Sequence, residues 1–94
     1  MNNYLLITNN LLQLNYIKNI FNIQSISIND FYEINDSTII FNSDINFLEL
    51  QKLLYENNNV INELLLMPLS IDNKHLLMTN GIKDFLWVNT EQKL

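Results

Sequence analysis

The chain has 94 residues and a formal net charge of −5, and it contains neither cysteine nor arginine. A chain of this length buries only about 60–65% of the surface that its unfolded form exposes, so nearly every large apolar residue is needed for one core. We therefore expect a single domain over residues 1–94. The missing residue types exclude zinc–cysteine sites, disulfide frameworks, cysteine nucleophiles and arginine fingers.

The composition is biased towards residues with AT-rich codons: there are 18 Asn, 17 Leu and 13 Ile, but one Gly and no Ala. Lysine shares this codon bias with asparagine, and yet the chain has only five lysines. The shortage indicates that positive charge has been kept off the surface. Proteins that bind phosphate backbones need several basic contacts, so we do not expect direct binding of nucleic acid.

The amino terminus, Met1-Asn2-Asn3, lacks the basic region and the cleavage site of a secretory signal. The longest apolar run, residues 64–67, is far shorter than the roughly 20 residues that span a bilayer. No cysteine points to an oxidising compartment, and we therefore expect a soluble, cytoplasmic protein.

The first two predicted elements are a strand and a helix. Tyr4 to Thr8 is a continuous apolar run before a polar Asn pair, which is typical of a buried strand followed by a helix N-cap. From Leu11 to Phe21 the apolar residues follow helical spacing, with one stripe made by Leu14, Ile17 and Phe21. We expect an amphipathic helix that lies on a sheet.

Between Ile23 and Asn42 the apolar residues alternate with polar ones, and a polar turn stands at residues 35–37. This pattern predicts two antiparallel strands, with three short ones as the alternative. Ser43 or Asp44 is the predicted cap of a second helix that runs to about residue 57. Its predicted core stripe consists of Phe47, Leu50 and Leu54, with Leu53 beside it.

The last third of the chain predicts a strand and then a hairpin. Glu63 to Met67 reads as a strand that ends at Pro68, whose ring removes a hydrogen-bond donor. Asn80-Gly81 is the strongest hairpin signal in the chain, and His75–Thr79 and Ile82–Val88 are the strands that it would join. A short helix beginning after Gly81 is the alternative for the final segment.

The order β-α-β-β-α-β-β predicts a small two-layer α+β domain, ferredoxin-like or close to it. A receiver-like α/β arrangement is the alternative if the middle strands run parallel.

The sequence carries few candidates for chemistry. His75 is the only histidine, so a histidine-based triad or a two-histidine metal site is impossible within one chain. The carboxylate pairs Asp30/Glu33 and Glu33/Asp36 fall in a polar hairpin, where we expect them to be solvated. There is no calcium-loop spacing and no glycine-rich phosphate loop. We expect a protein that is not an enzyme and has no cofactor or metal site.

The distribution of charge is more informative. Residues 30–63 carry a net charge of −6, whereas the residues before and after them carry +1 and 0. Glu49, Lys52 and Glu56 have the i, i+3, i+7 spacing of a salt-bridged outer helix face, and such a face would only keep the protein soluble. The other interpretation is an acidic patch that binds a basic protein surface.

The leading hypothesis is a small inhibitor from a phage or mobile element, of the anti-CRISPR or other anti-defence type. It would occupy the basic surface of a nucleic-acid-handling protein. The alternative is a homo-oligomeric regulatory or structural domain, a homodimer for example, that pairs through a sheet edge or through residues 64–67. Aromatic residues with a polar group would serve as anchors, although Trp87 is equally a candidate for the core. The predicted partner-binding residues are Asp30, Tyr32, Glu33, Asp36, Glu49, Tyr55, Glu56 and Trp87.

Overall fold

The computed structural model describes residues 2–56, 61, 63–72 and 77–89. These residues contain four strands and three helices. The elements are β1 (Asn2–Thr8), α1 (Leu11–Ile23), β2 (Ile28–Asn35), β3 (Thr38–Ser43), α2 (Phe47–Glu56), β4 (Leu64–Leu69) and α3 (Asn80–Val88).

The four strands form one sheet in the order β2-β3-β1-β4, and every neighbouring pair is antiparallel. Helices α1 and α2 each connect two strands that a third strand separates, which is the connection of a ferredoxin-like domain. The predicted α+β class is confirmed: this is a small compact domain consistent with the two-layer ferredoxin-like arrangement. The receiver-like alternative is wrong, because that fold requires parallel strands in the middle of the sheet.

Helix α1 begins at the predicted residue and runs two residues further than predicted. The side-chain oxygen of Asn10 accepts a hydrogen bond from the backbone N–H of Gln13 at 2.9 Å, which caps the helix. At the other end Ser25 has a left-handed backbone with a φ of 57°. The backbone N–H of Ile26 donates to the carbonyl of Phe21 at 2.9 Å, which is the closing bond of a Schellman motif.

Helix α2 begins later than predicted, and the predicted caps Ser43 and Asp44 are wrong. The side-chain oxygen of Asn46 accepts a hydrogen bond from the backbone N–H of Glu49 at 2.9 Å, so Asn46 caps the helix. Ser43 is instead the buried last residue of β3. Its hydroxyl donates to the carbonyl of Ser27 at 2.7 Å and thereby links two segments of the chain.

The main core lies between the sheet and helices α1 and α2. Phe41 is fully buried in β3, and its ring centroid lies 5.3 Å from those of both Tyr4 and Phe21. The hydroxyl of Tyr4 donates to the carbonyl of Ile45 at 2.7 Å, and burial raises the pKa of that hydroxyl. The buried members of this core are Tyr4, Leu6, Leu14, Ile17, Phe21, Ile39, Phe41, Leu50 and Leu54.

Strand β4 does not end at Pro68, as the sequence predicted, but continues to Leu69. Pro68 pairs with Tyr4 of β1. Because β4 lies at the edge of the sheet, a proline is tolerated there when its nitrogen points away from the neighbouring strand.

The predicted hairpin at Asn80-Gly81 is wrong, because residues 80–88 form helix α3. Gly81 does not have the positive φ that a type I′ turn requires. Phe85 and Leu86 of this helix pack against Ile40. The residues on either side of Ile40 in β3 belong to the main core, and Ile40 itself points to the opposite face of the sheet. Helix α3 therefore covers this second face. The predicted strand at residues 75–79 lies partly outside the described residues, and residues 77–79 are not a strand.

At Gly81, α3 lies very close to the Tyr32 side chain of β2. A Cβ atom at this position would overlap the hydroxyl of Tyr32 and would lie 3.3 Å from the ring carbon that bears it. The Tyr32 ring is held in place by Phe85, whose centroid is 5.8 Å away. Glycine is therefore needed here for close packing and not for a left-handed backbone.

We expect Gly81→Ala to lower the free energy of unfolding by about 1 kcal/mol, because the new methyl group forces the Tyr32 ring to move. In a Tyr32→Phe background the obstructing oxygen is gone, and the higher helix propensity of alanine should make the same substitution neutral or stabilising. Urea unfolding of the four proteins measures this coupling. Equal losses in both backgrounds would contradict the packing of α3 on Tyr32.

Candidate protein-interaction surfaces

Three of the predicted acids lie at one edge of the sheet, where the strand register places Asp30 and Glu33 on opposite faces. Asp30 and Glu33 belong to the outer strand β2, and Asp36 follows in the turn to β3. All three side chains are exposed. We call Asp30, Glu33 and Asp36 the acidic edge.

Part of this charge is paired within the domain. The Nζ atom of Lys18 on α1 lies 3.3 Å from a carboxylate oxygen of Glu33 and 5.1 Å from the centroid of the Phe31 ring. Both members of the ion pair reach solvent, so it contributes only about 0–1 kcal/mol to stability. The carboxylate of Asp30 accepts a hydrogen bond from the backbone N–H of Phe31 at 2.9 Å. Lys18 is therefore a partial counter-charge for the acidic edge, at Glu33.

The pairing of β2 with β3 is irregular. Its register shifts between Ile28 and Asp30 and again between Glu33 and Asn35. Bulges and charges on an outer strand discourage the addition of a further strand. A partner at this edge would therefore meet side chains and not a regular backbone ladder.

The other two predicted acids lie on a different element. Glu49 and Glu56 are exposed on α2, which contacts β4, whereas the Lys18 contact places α1 over β2. A carboxylate oxygen of Glu49 accepts a hydrogen bond from the Asn46 side chain at 3.2 Å, next to the helix cap. The structure thus places three of the five acids at one edge of the sheet and assigns Glu49 and Glu56 to a separate surface.

The three predicted aromatic anchors have unlike environments. Tyr32 is half-buried between β2 and α3, so little of its ring is accessible. Trp87 is 56% exposed on α3, and the alternative that placed it in the core is wrong. Tyr55 is 74% exposed on α2. Tyr55 and Trp87 therefore have the accessibility that a contact residue needs.

One surface feature was not predicted from the sequence. An open, mostly apolar cavity of about 330 Å³ lies between α2 and the edge strand β4. Tyr55, Phe47 and Leu65 are among the residues that line it. The helical stripe of α2 and the apolar run at residues 64–67 were both visible in the sequence, but only the fold shows that they flank one groove.

His75 lies outside the described residues. Within the described ranges, no three histidine, cysteine or acidic side chains are grouped so that they could hold a metal ion. No helix in those ranges is long and apolar enough to cross a membrane. In comparisons with known proteins, no family model, no curated protein and no solved structure matches this chain.

Proposed function

We propose that this protein is a non-catalytic protein-interaction module that binds a basic surface of a nucleic-acid-handling protein through its acidic edge. The class that fits best is an inhibitor from a phage or mobile element, of the anti-CRISPR or other anti-defence type, acting in the cytoplasm. The observation that carries the proposal is that Asp30, Glu33 and Asp36 are all exposed at one edge of the sheet, two on the outer strand β2 and one in the turn that follows it.

The electrostatic argument rests on where the charge lies. The protein has ten acidic residues against five lysines, and three of the acids fall within seven consecutive positions. Clustered carboxylates steer a positively charged partner to one side of a molecule and repel nucleic acid. The carboxylates of the acidic edge would bind the lysines and arginines with which the partner holds phosphate groups. The protein would then compete directly with nucleic acid for the partner.

The composition supports the proposed origin. The bias towards asparagine and isoleucine follows AT-rich codons, and the same bias without the expected lysines indicates selection against positive charge. A surface that must bind a basic groove has a reason to exclude lysine, whereas a surface that only needs solubility does not.

Neutralising the acidic edge tests the proposal. We expect the triple variant Asp30→Asn, Glu33→Gln, Asp36→Asn to associate about tenfold more slowly with a basic partner captured from host lysate, and to show a flatter dependence of the rate on salt. The measurement is the association rate at low and high salt for the wild type and the variant. Thermal unfolding of both proteins must first show that the variant is folded.

A matched control separates this surface from overall charge. The variant Asp44→Asn, Glu63→Gln, Asp72→Asn changes the net charge by the same amount, but at exposed positions before α2 and on either side of β4. We expect it to retain most of the wild-type association rate. If both triple variants behave alike, the acidic edge is not the contact surface.

A homo-oligomeric regulatory or structural domain without catalysis is the second candidate function. The observation that favours it is the apolar edge strand β4, which lies on the opposite side of the sheet from the acidic edge. A heterocomplex that high salt dissolves supports the inhibitor, and a salt-resistant dimer without a partner supports the regulatory domain.

A further inference from the structure

We infer that the outer edge of β4 is the docking site of a second copy of this chain. Two β4 strands would pair antiparallel about a two-fold axis and join two four-stranded sheets into one of eight strands. The inference rests on the two edges of the sheet and on the surface beside β4. It deepens the second candidate function, the homo-oligomeric domain, and does not depend on the proposed inhibitor function.

The two edges of the sheet differ in their protection against pairing. Strand β2 carries charged side chains and two shifts of register. Strand β4 carries no charge, and its pairing with β1 is regular from Asn3↔Leu69 to Thr8↔Leu64. Proteins protect outer strands with charges and bulges, and an uncharged, regular outer strand is a ready template for another strand. Only Pro68 interrupts the backbone groups of this edge.

The surface beside β4 is apolar. Leu48 and Tyr55 are each 74% exposed on the same side of α2, beside the apolar cavity between that helix and β4. Leu65 is 52% exposed on the other face of the sheet, the face of Ile40. Because α2 contacts β4, the pairing of two β4 strands would bring the two α2 helices together over Leu48 and Tyr55, while the two Leu65 side chains would meet on the opposite face.

The distribution of charge identifies a second copy as the occupant. Strand β4 has no charged group that could complement a basic or an acidic partner, but its apolar residues complement themselves across a two-fold axis. Pairing through β4 would leave the two acidic edges seven strand spacings apart, or roughly 34 Å. That separation is several times the Debye length of about 8 Å, so the acidic edges of the two copies repel each other only weakly in this arrangement.

Pro68 sets the register of the proposed pair. A proline in an outer strand directs its nitrogen away from the neighbouring strand, and the free backbone groups of Leu64 and Leu66 then point outwards with it. A pair centred on Leu65 joins Leu64 of each copy to Leu66 of the other and leaves Pro68 outside the ladder. The two Leu65 residues then face each other as a non-hydrogen-bonded pair, with Cα atoms about 4.5 Å apart.

This register allows a direct test, because the chain has no cysteine of its own. A pair of Cα atoms at this spacing is close enough for a disulfide. We expect Leu65→Cys to form a covalent dimer under mild oxidation at protein concentrations where Leu12→Cys forms none. Leu12 is 75% exposed on α1 and serves as the matched control.

Sedimentation of the wild type and of Leu65→Lys completes the test. We expect the wild type to be a dimer at high salt. The Leu65→Lys substitution should weaken dimerisation at least tenfold. It should leave the thermal unfolding midpoint of the monomer unchanged. Leu12→Lys should leave dimerisation unchanged. A monomeric wild type, or equal crosslinking of the Leu65→Cys and Leu12→Cys proteins, overturns the inference. A monomer that still binds a basic partner leaves the proposed inhibitor function standing.

Discussion

Replacing Phe41 with alanine should lower the free energy of unfolding by about 3 to 5 kcal/mol, the usual range for removing a buried aromatic side chain. Phe41 is fully buried at the centre of β3, and its ring meets those of Tyr4 on β1 and Phe21 on α1. The substitution leaves a cavity between the sheet and α1 that none of these neighbours can fill. A domain of this size is stable by only about 5–15 kcal/mol in total, so the effect is a large part of its stability.

Phe31→Ala is the matched control for this prediction. Phe31 pairs with Phe41 across β2 and β3, but it is 39% exposed. We expect its loss to cost less than half as much in urea unfolding. If Phe41→Ala has no folded baseline, Phe41→Leu provides a milder variant for the same comparison. Equal losses at positions 31 and 41 would contradict the position of the main core.

The ferredoxin-like part of the fold could be predicted because its elements carry strong local periodicity. Leu14, Ile17 and Phe21 repeat at helical spacing, and all three are buried where α1 meets the sheet. The strands of the first half alternate or run apolar, and the polar turn at residues 35–37 separates two of them as predicted. In these segments the residues that the local pattern assigns to the core are the ones that the fold buries. The pattern was therefore sufficient to predict the elements.

Helix α3 could not be predicted in the same way, because two local signals conflict there. Asn80-Gly81 favours a hairpin turn, while Ile82, Phe85 and Leu86 have the spacing of an amphipathic helix. The helix forms because it covers Ile40 on the second face of the sheet. The second face of the sheet exists only after the strands have assembled. A rule that uses neighbouring residues alone therefore could not compare the burial of that face with the turn preference of Asn80-Gly81.

The candidate surfaces could likewise be predicted only as far as residues close in sequence determine them. Acids that are close in sequence, such as Asp30, Glu33 and Asp36, stay at the same edge of the sheet, but the alternation along β2 puts Asp30 and Glu33 on opposite faces. Glu49 and Glu56 were grouped with them on net charge alone, and the crossover from β3 to α2 carries these two to another surface. The edge positions of β2 and β4 depend on strand order, which the sequence pattern did not specify.

The largest effect expected from a single polar residue concerns Asn42, which is fully buried in β3. Its side-chain N–H groups donate to the side-chain oxygen of Asn3 at 3.0 Å and to the backbone carbonyl of Asn89 at 3.2 Å. Its side-chain oxygen accepts a hydrogen bond from the Asn29 side chain at 3.1 Å. One amide thus joins β1, β2 and β3 to the end of α3.

We expect Asn42→Asp to lower the free energy of unfolding by about 3 kcal/mol or more at neutral pH. The substitution preserves the shape of the side chain but replaces both donor groups with an oxygen, so a buried carboxylate would face two carbonyl oxygens. Asn15→Asp is the matched control, since it adds the same charge at an exposed position on α1 and should change stability by less than about 0.5 kcal/mol.

The pH dependence of this loss distinguishes buried charge from altered packing. Burial and the two carbonyl oxygens raise the pKa of the new carboxyl group in the folded state above its unfolded value of about 4. Between these two pKa values the folded state binds more protons than the unfolded state, so the variant gains stability relative to the wild type as the pH falls. Urea unfolding at neutral and mildly acidic pH measures this gain. A deficit that does not change between the two pH values would mean that Asn42 contributes shape alone, and that its hydrogen bonds do not hold α3 on the sheet.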